Sequence, residues 1–92
     1  MERKLHYINE GPGGYVVYTN GEVEIKLFFQ YGGGNCVALI FAPTIEKWVK
    51  KTNTALSDRN EILTFIANQC IKDQAPNCTF ELFDDRIEIL EK

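Results

Sequence analysis

The residues best suited to chemistry in this sequence are three cysteines and a single histidine: Cys36, Cys70, Cys78 and His6. A cysteine becomes a nucleophile when a neighbouring base or positive charge favours its thiolate, and histidine is the usual base. Cys36 follows a glycine-rich segment, so the pair Cys36 and His6 predicts a small thiol-dependent enzyme. The alternative, which we favour, is that Cys36 is a small apolar residue at the start of a buried strand.

The cysteines do not match a metal-binding or disulfide pattern. Structural zinc sites pair cysteines about two residues apart, whereas these three are widely and irregularly spaced. An odd number of cysteines is not a disulfide framework, and reduced thiols are typical of the cytoplasm. The N-terminus lacks the apolar core of a secretory signal, and no stretch approaches the ~20 apolar residues of a membrane span. We therefore expect a cytoplasmic protein without metal, cofactor or membrane contact.

Two glycine-rich segments, Gly11–Gly14 and Gly32–Asn35, are the next candidates for a site. A phosphate-binding loop precedes a helix and continues into a lysine followed by serine or threonine. Each segment here precedes a predicted strand and lacks that pair, so both are interpreted as hairpin turns. Asn20-Gly21 lies between them and predicts a type I′ hairpin turn, which needs positive φ at both residues. Because that hairpin reverses the chain, both glycine segments should lie at the same end of the sheet.

Aromatic residues flank these turns and point to binding rather than catalysis. Tyr15 and Tyr31 flank the glycine segments, and with Asn35 they are the predicted contact residues. Phe28 falls on the otherwise polar face of its strand, and aromatic side chains on an exposed face favour interfaces. The pattern predicts a homodimer or a protein partner. The alternatives are that a helix covers Phe28, or that Phe28 is a single exposed apolar residue that needs no explanation.

The charge pattern argues against a nucleic-acid partner. The net charge is −3 and the pI is about 5.1, whereas phosphate binding needs a concentrated basic surface. Two predicted helices could imitate a helix-turn-helix, but the second opens with Asp58 and Glu61 instead of base-contacting residues. The acidic residues Asp84, Asp85 and Glu88 fall in a turn and on a wet strand face, so they are interpreted as solvated charges. We expect no nucleic-acid binding and no acid–base catalysis.

The elements that position these residues follow from hydrophobic spacing. From Val23 to Tyr31 apolar residues alternate with polar ones, which predicts a half-buried strand. Cys36–Ala42 is apolar on both faces, which is typical of a central strand. Thr44 is the predicted N-cap of a short helix, and Ser57 that of a longer one reaching about Asp73. The remaining predicted strands are Leu5–Ile8, Tyr15–Thr19, Thr79–Phe83 and Arg86–Leu90.

Strands, then helices, then strands predict an α+β fold in a single domain, residues 1–92. The expected sheet is antiparallel with about five strands: a β-meander, two helices packed on one face, and a C-terminal β-hairpin. Without a catalytic constellation, the expected function is a small non-catalytic binding or protein-interaction domain. A thiol-dependent enzyme using Cys36 and His6 is the alternative.

Overall fold

A computed structural model describes residues 2–92 as a six-stranded antiparallel sheet with one long helix on one face. The strands are β1 (Lys4–Glu10), β2 (Gly13–Thr19), β3 (Glu24–Tyr31), β4 (Cys36–Phe41), β5 (Cys78–Leu82) and β6 (Arg86–Glu91). Between β4 and β5 lie α1 (Trp48–Thr52), a 3₁₀ turn (Leu56–Asp58) and α2 (Arg59–Gln74). The spatial order is β1-β2-β3-β4-β6-β5, so the C-terminal hairpin extends the meander along its β4 edge.

The α+β class is correct, but the expected layout of about five strands and two helices on one face is wrong. The sheet has six strands because the N-terminal segment pairs with β2 over its whole length, from Lys4 opposite Thr19 to Glu10 opposite Gly13. Only α2 is a helix of appreciable size, since α1 has five residues. Trp48 of α1 is buried in the core, whereas Val49 is 53% exposed.

The core lies between α2 and one face of the sheet, which we call the helix face. The sheet contributes alternate residues such as Val16, Leu27 and Ile87, while α2 contributes Leu63 and Ile66. All five are nearly or completely buried. Burial of side chains of this size is worth about 1.5–3 kcal/mol each relative to exposure, so this face supplies the main stabilisation. The buried residues of α2 recur at helical spacing along one side of the helix: Ile62, Leu63, Ile66, Ala67 and Cys70.

A buried arginine anchors the start of α2. Arg59 is 5% exposed, and its guanidinium donates hydrogen bonds to the carbonyl oxygens of Pro43, at 3.1 Å, and Asp84. These bonds tie the helix to the end of β4 and to the turn between β5 and β6. The cap predicted at Ser57 is absent, since Asp58 occupies the N-cap position without a side-chain cap bond. Arg59 thus positions the helix where a cap was expected.

The β2–β3 hairpin exists, but its turn differs from the predicted type. The connection spans residues 20–23, and among the described residues Asn53 is the one non-glycine with positive φ. Asn20 instead accepts hydrogen bonds at Oδ1 from the backbone N–H groups of Glu22 (3.0 Å) and Val23 (3.1 Å). This local side-chain bonding holds the longer turn. No helix within residues 2–92 is long and apolar enough to span a membrane.

Candidate functional site

The structure does not bring Cys36 and His6 together. His6 pairs with Val17 on β2, near the β2–β3 turn, whereas Cys36 begins β4 at the opposite end of the sheet. Two strands separate β1 from β4, so the residues are three strand spacings, ~14 Å, apart across the sheet alone. The Cys36 thiol donates to the carbonyl oxygen of Ala38, at 3.5 Å. The enzyme hypothesis therefore lacks the base that it requires.

Cys70 is no better suited to nucleophilic chemistry. Its thiol lies on the buried side of α2, and burial raises its pKa to about 11, an effect that Asp73 reinforces. The thiol is thus protonated at neutral pH and is a poor nucleophile. Within residues 2–92, no group of three or more His, Cys, Asp or Glu side chains is arranged to hold a metal ion.

The two glycine segments do lie at the same end of the sheet, since the Tyr31 N–H donates to the Pro12 carbonyl oxygen at 3.1 Å. They differ in character. Gly13 and Gly14 are buried parts of β2, and a Cβ on Gly14 would overlap the carbonyl oxygen of Ile8. In the second segment a Cβ on Gly33 would meet nothing within 4 Å, although one on Gly32 would overlap the carbonyl oxygen of Cys36. The second segment is exposed throughout, whereas the first divides into an exposed turn and a buried piece of strand.

The predicted contact residues do not share one surface. Tyr15 pairs with Phe28 on the face away from α2, which we call the open face. Tyr31 points to the helix side and packs edge-to-face on Phe29, with ring centroids 5.6 Å apart. Asn35 is exposed in the loop, and its carbonyl accepts a hydrogen bond from the Glu91 N–H at 2.9 Å. Of the predicted set, only Tyr15 and Phe28 lie together.

An aromatic row crosses the open face, formed by Ile8, Tyr15, Phe28 and Phe41 on four successive strands. The Tyr15 and Phe28 rings are edge-to-face at 5.7 Å, and those of Phe28 and Phe41 are stacked at 5.9 Å. Phe28 is 43% exposed, and α2 lies on the other face, so no helix covers it. Sequence reasoning missed Phe41, although a strand apolar on both faces was a signal for it.

The two flanks of the aromatic row carry opposite charges. The register places His6 and Lys26 on either side of Val17, toward the β2–β3 turn, with Lys4 and Glu24 one row further out. The Lys26 ammonium lies 4.2 Å from the Tyr15 ring centroid, within cation–π range. On the other flank lie Glu10, Glu81 and Glu88. On the first flank the two lysines outnumber Glu24, although Lys4 is paired with Glu2 at 3.5 Å. On the second flank Glu88 is paired with Arg86 at 2.8 Å, so Glu10 and Glu81 are its main negative charges.

The helix side holds a cleft of about 280 Å³ at the C-terminal end of α2. Its walls are mainly apolar, with Phe29, Ala38 and Ile89 from the sheet and Ala75 from the helix end. Tyr7 lies at the cleft and donates a hydrogen bond to Asp73 Oδ2 at 2.8 Å. Burial, reinforced by Cys70 and Asp73, raises the pKa of the Tyr7 phenol well above its usual range. No single segment signals this cleft, because its walls come from β1, β2, β3, β4, β6 and the end of α2.

Comparisons with other proteins leave the geometry as the sole basis for function. No protein-family model, curated protein or solved structure matches this chain. The aromatic row and the helix-side cleft are accordingly the two candidate sites on which a functional argument rests.

Proposed function

We propose that this chain is a non-catalytic interaction domain that pairs with a second copy of itself through the open face. The observation that carries the proposal is the aromatic row, in which Phe28 stays 43% exposed although it stacks on Phe41. Monomeric proteins rarely leave connected aromatic surface in water, and aromatic residues are enriched at interfaces. Sheets commonly cover such a face by packing on another sheet about 10 Å away.

The flanking charges favour a second copy over an unrelated partner and select one symmetry. A two-fold axis along the aromatic row lays the row of one copy on that of the other. It also places the flank with Lys26 over the partner's flank with Glu10, and the reverse. A two-fold axis parallel to the strands would oppose like charges, which costs affinity. We therefore assign the axis along the row.

The size of the face sets the expected affinity. Five strand spacings of ~4.8 Å and strands ~20 Å long give a planar footprint of ~480 Å² per copy, before side-chain relief is counted. Standard interfaces bury ~800 Å² per partner and stable ones at least ~600 Å², so the planar footprint of the open face is in the size class of weak, transient interfaces. The dimer should accordingly be reversible, with a dissociation constant in the micromolar range.

Sedimentation across a dilution series tests the proposal. The wild type should shift from dimer to monomer on dilution. Phe28→Thr should remain monomeric, because it removes the exposed ring while threonine still suits a strand. The matched control is Val49→Thr, which changes another exposed apolar residue, on α1, and should dimerise as the wild type does. A wild type that is monomeric throughout contradicts the proposal. A dimer that survives Phe28→Thr contradicts it too, and would indicate pairing along the β1 edge.

The assigned axis has its own test. With the axis along the row, Lys26 of one copy faces Gln30 of the other. Both residues lie on the open face of β3, two residues before and two residues after Phe28. Lys26→Glu should weaken the dimer, since it reverses one flank. Adding Gln30→Lys should restore it by creating an intermolecular ion pair. A double variant that is no tighter than Lys26→Glu alone rejects the assigned axis.

A cytoplasmic location is part of the proposal. It is supported by the three free cysteines, Cys36, Cys70 and Cys78, because thiols persist unpaired in reducing compartments. Alkylation in denaturant of the protein freshly extracted from its native cells, followed by mass measurement, should find all three thiols modified. Recovery of a disulfide-linked form would contradict a reducing compartment.

A further inference from the structure

We infer that the helix-side cleft binds a small, uncharged, largely aromatic molecule. This cleft is separate from the open face, because the whole sheet lies between them. It lies beside the last turn of α2 and Ala75, with the buried side chains of Phe29 and Ile89 and the half-buried Ala38 on the sheet side. A volume of about 280 Å³ is near the lower limit of the ~300–1,000 Å³ typical of small-molecule sites.

The lining determines which chemistry fits. The buried side chains of Val16, Phe29, Ile40 and Ile89 belong to its apolar part. Val37, Ala38 and Ala75 are half-buried, so their contact with a ligand would replace contact with water. Its polar groups are the neutral side chains of Tyr7, Asn9, Tyr31 and Gln74, so no residue of the lining carries a full charge. A small number of neutral polar groups in an apolar cleft orients a ligand through one or two hydrogen bonds.

The nearest ionic group disfavours anions. Asp73 accepts a hydrogen bond from the Tyr7 hydroxyl at 2.8 Å, which places its carboxylate beside the cleft. An anionic ligand would meet this carboxylate without a compensating cation in the lining. The hydroxyl of Tyr7 is already committed as a donor to Asp73, so its oxygen remains an acceptor for a ligand N–H or O–H. The favoured occupant is thus a neutral aromatic molecule with one hydrogen-bond donor.

A pair of fluorescent probes with one skeleton tests this assignment. N-phenylnaphthylamine is neutral and has one N–H, whereas anilinonaphthalene sulfonate adds a sulfonate to the same rings. We expect saturable fluorescence enhancement with the neutral probe and at least about tenfold weaker binding of the sulfonate, because the anion meets Asp73. Equal affinity for both probes, or no saturable binding of the neutral one, overturns the inference.

Variants locate the probe. Ala38→Leu fills the cleft from the sheet, and Ala75→Leu fills it from the end of the helix, so either should weaken the neutral probe by about tenfold or more. The matched control is Ala55→Leu, an exposed position outside the cleft. Phe28→Thr removes the exposed ring of the open face and should leave binding unchanged. Circular dichroism checks that each variant is folded. Retained binding in both cleft variants, or its loss in Phe28→Thr, overturns the inference.

Discussion

The two faces of the sheet are built from the same strands but differ in how they are covered. On β2, Val16 and Val17 are neighbours in sequence, yet Val16 packs under α2 and Val17 lies on the open face. Outside the cleft, the helix face is covered by α2 and the side chain of Trp48, while the open face is covered only by its own neighbouring side chains. One face therefore carries the stability of the fold, and the other keeps an aromatic row for a partner.

The largest loss of stability should come from shortening a side chain of the helix face. Leu63 is fully buried, so Leu63→Ala should lower the free energy of unfolding by about 2–5 kcal/mol through lost burial and a residual cavity. Phe28→Ala, on the open face, should cost less than about 1 kcal/mol when measured below the dimerisation range. Urea unfolding of both variants gives the comparison. Equal costs would show that the open face is also part of the core.

Alkaline pH offers a second comparison, because Cys70 belongs to the helix face. Its pKa rises from 9.0 to about 11 on folding, so above pH 9 the unfolded chain binds fewer protons than the folded one. The contribution of this thiol to the free energy of unfolding is therefore complete below pH 9. It falls by about 2–3 kcal/mol as the pH rises to about 11. The raised pKa of Tyr7 acts in the same direction.

Unfolding measured at successive pH values checks this slope. Cys70→Ala is the control: it removes the thiol, so its stability should fall less between pH 9 and pH 11 than that of the wild type. An unchanged slope in Cys70→Ala would mean that this thiol is not buried as described.

The neighbouring valines give the most closely matched comparison. Threonine has nearly the shape of valine and a similar strand preference, so each substitution mainly adds a hydroxyl. Val16→Thr buries that hydroxyl under α2 and should cost about 1–3 kcal/mol. Val17→Thr should cost less in the monomer, because Val17 lies outside the core cluster under α2 and is 9% exposed, against 2% for Val16. Chemical denaturation of both variants tests this, and a larger cost at Val17 would reverse the assignment of the faces.

Local patterns in the sequence predict part of this architecture. The spacing of Ile62, Leu63 and Ile66 identifies α2, and the alternation through Leu27 identifies β3, because each depends on neighbours within one element. The shared end of the glycine segments follows from counting hairpins. The buried faces of α2 and β3 and the order of the turns are thus readable from local patterns.

Long-range arrangement explains what sequence reasoning missed. Placing β6 between β4 and β5 depends on pairing residues that are far apart in sequence, such as Ile40 with Ile87. Arg59 is buried, and its burial depends on carbonyl groups supplied by two other segments. Phe41 joins the aromatic row only after the register of β3 against β4 is known. No local signal carries this information.

The most direct test of the open face is a contact between two copies. In a mixture of isotope-labelled and unlabelled chains at millimolar concentration, isotope-filtered NMR detects only protons of different copies that lie close together. The account predicts intermolecular signals from the Phe28 ring to the ring protons of Tyr15, Phe28 or Phe41 in the other copy. Intermolecular signals confined to the β1 edge, or none at all, would contradict it.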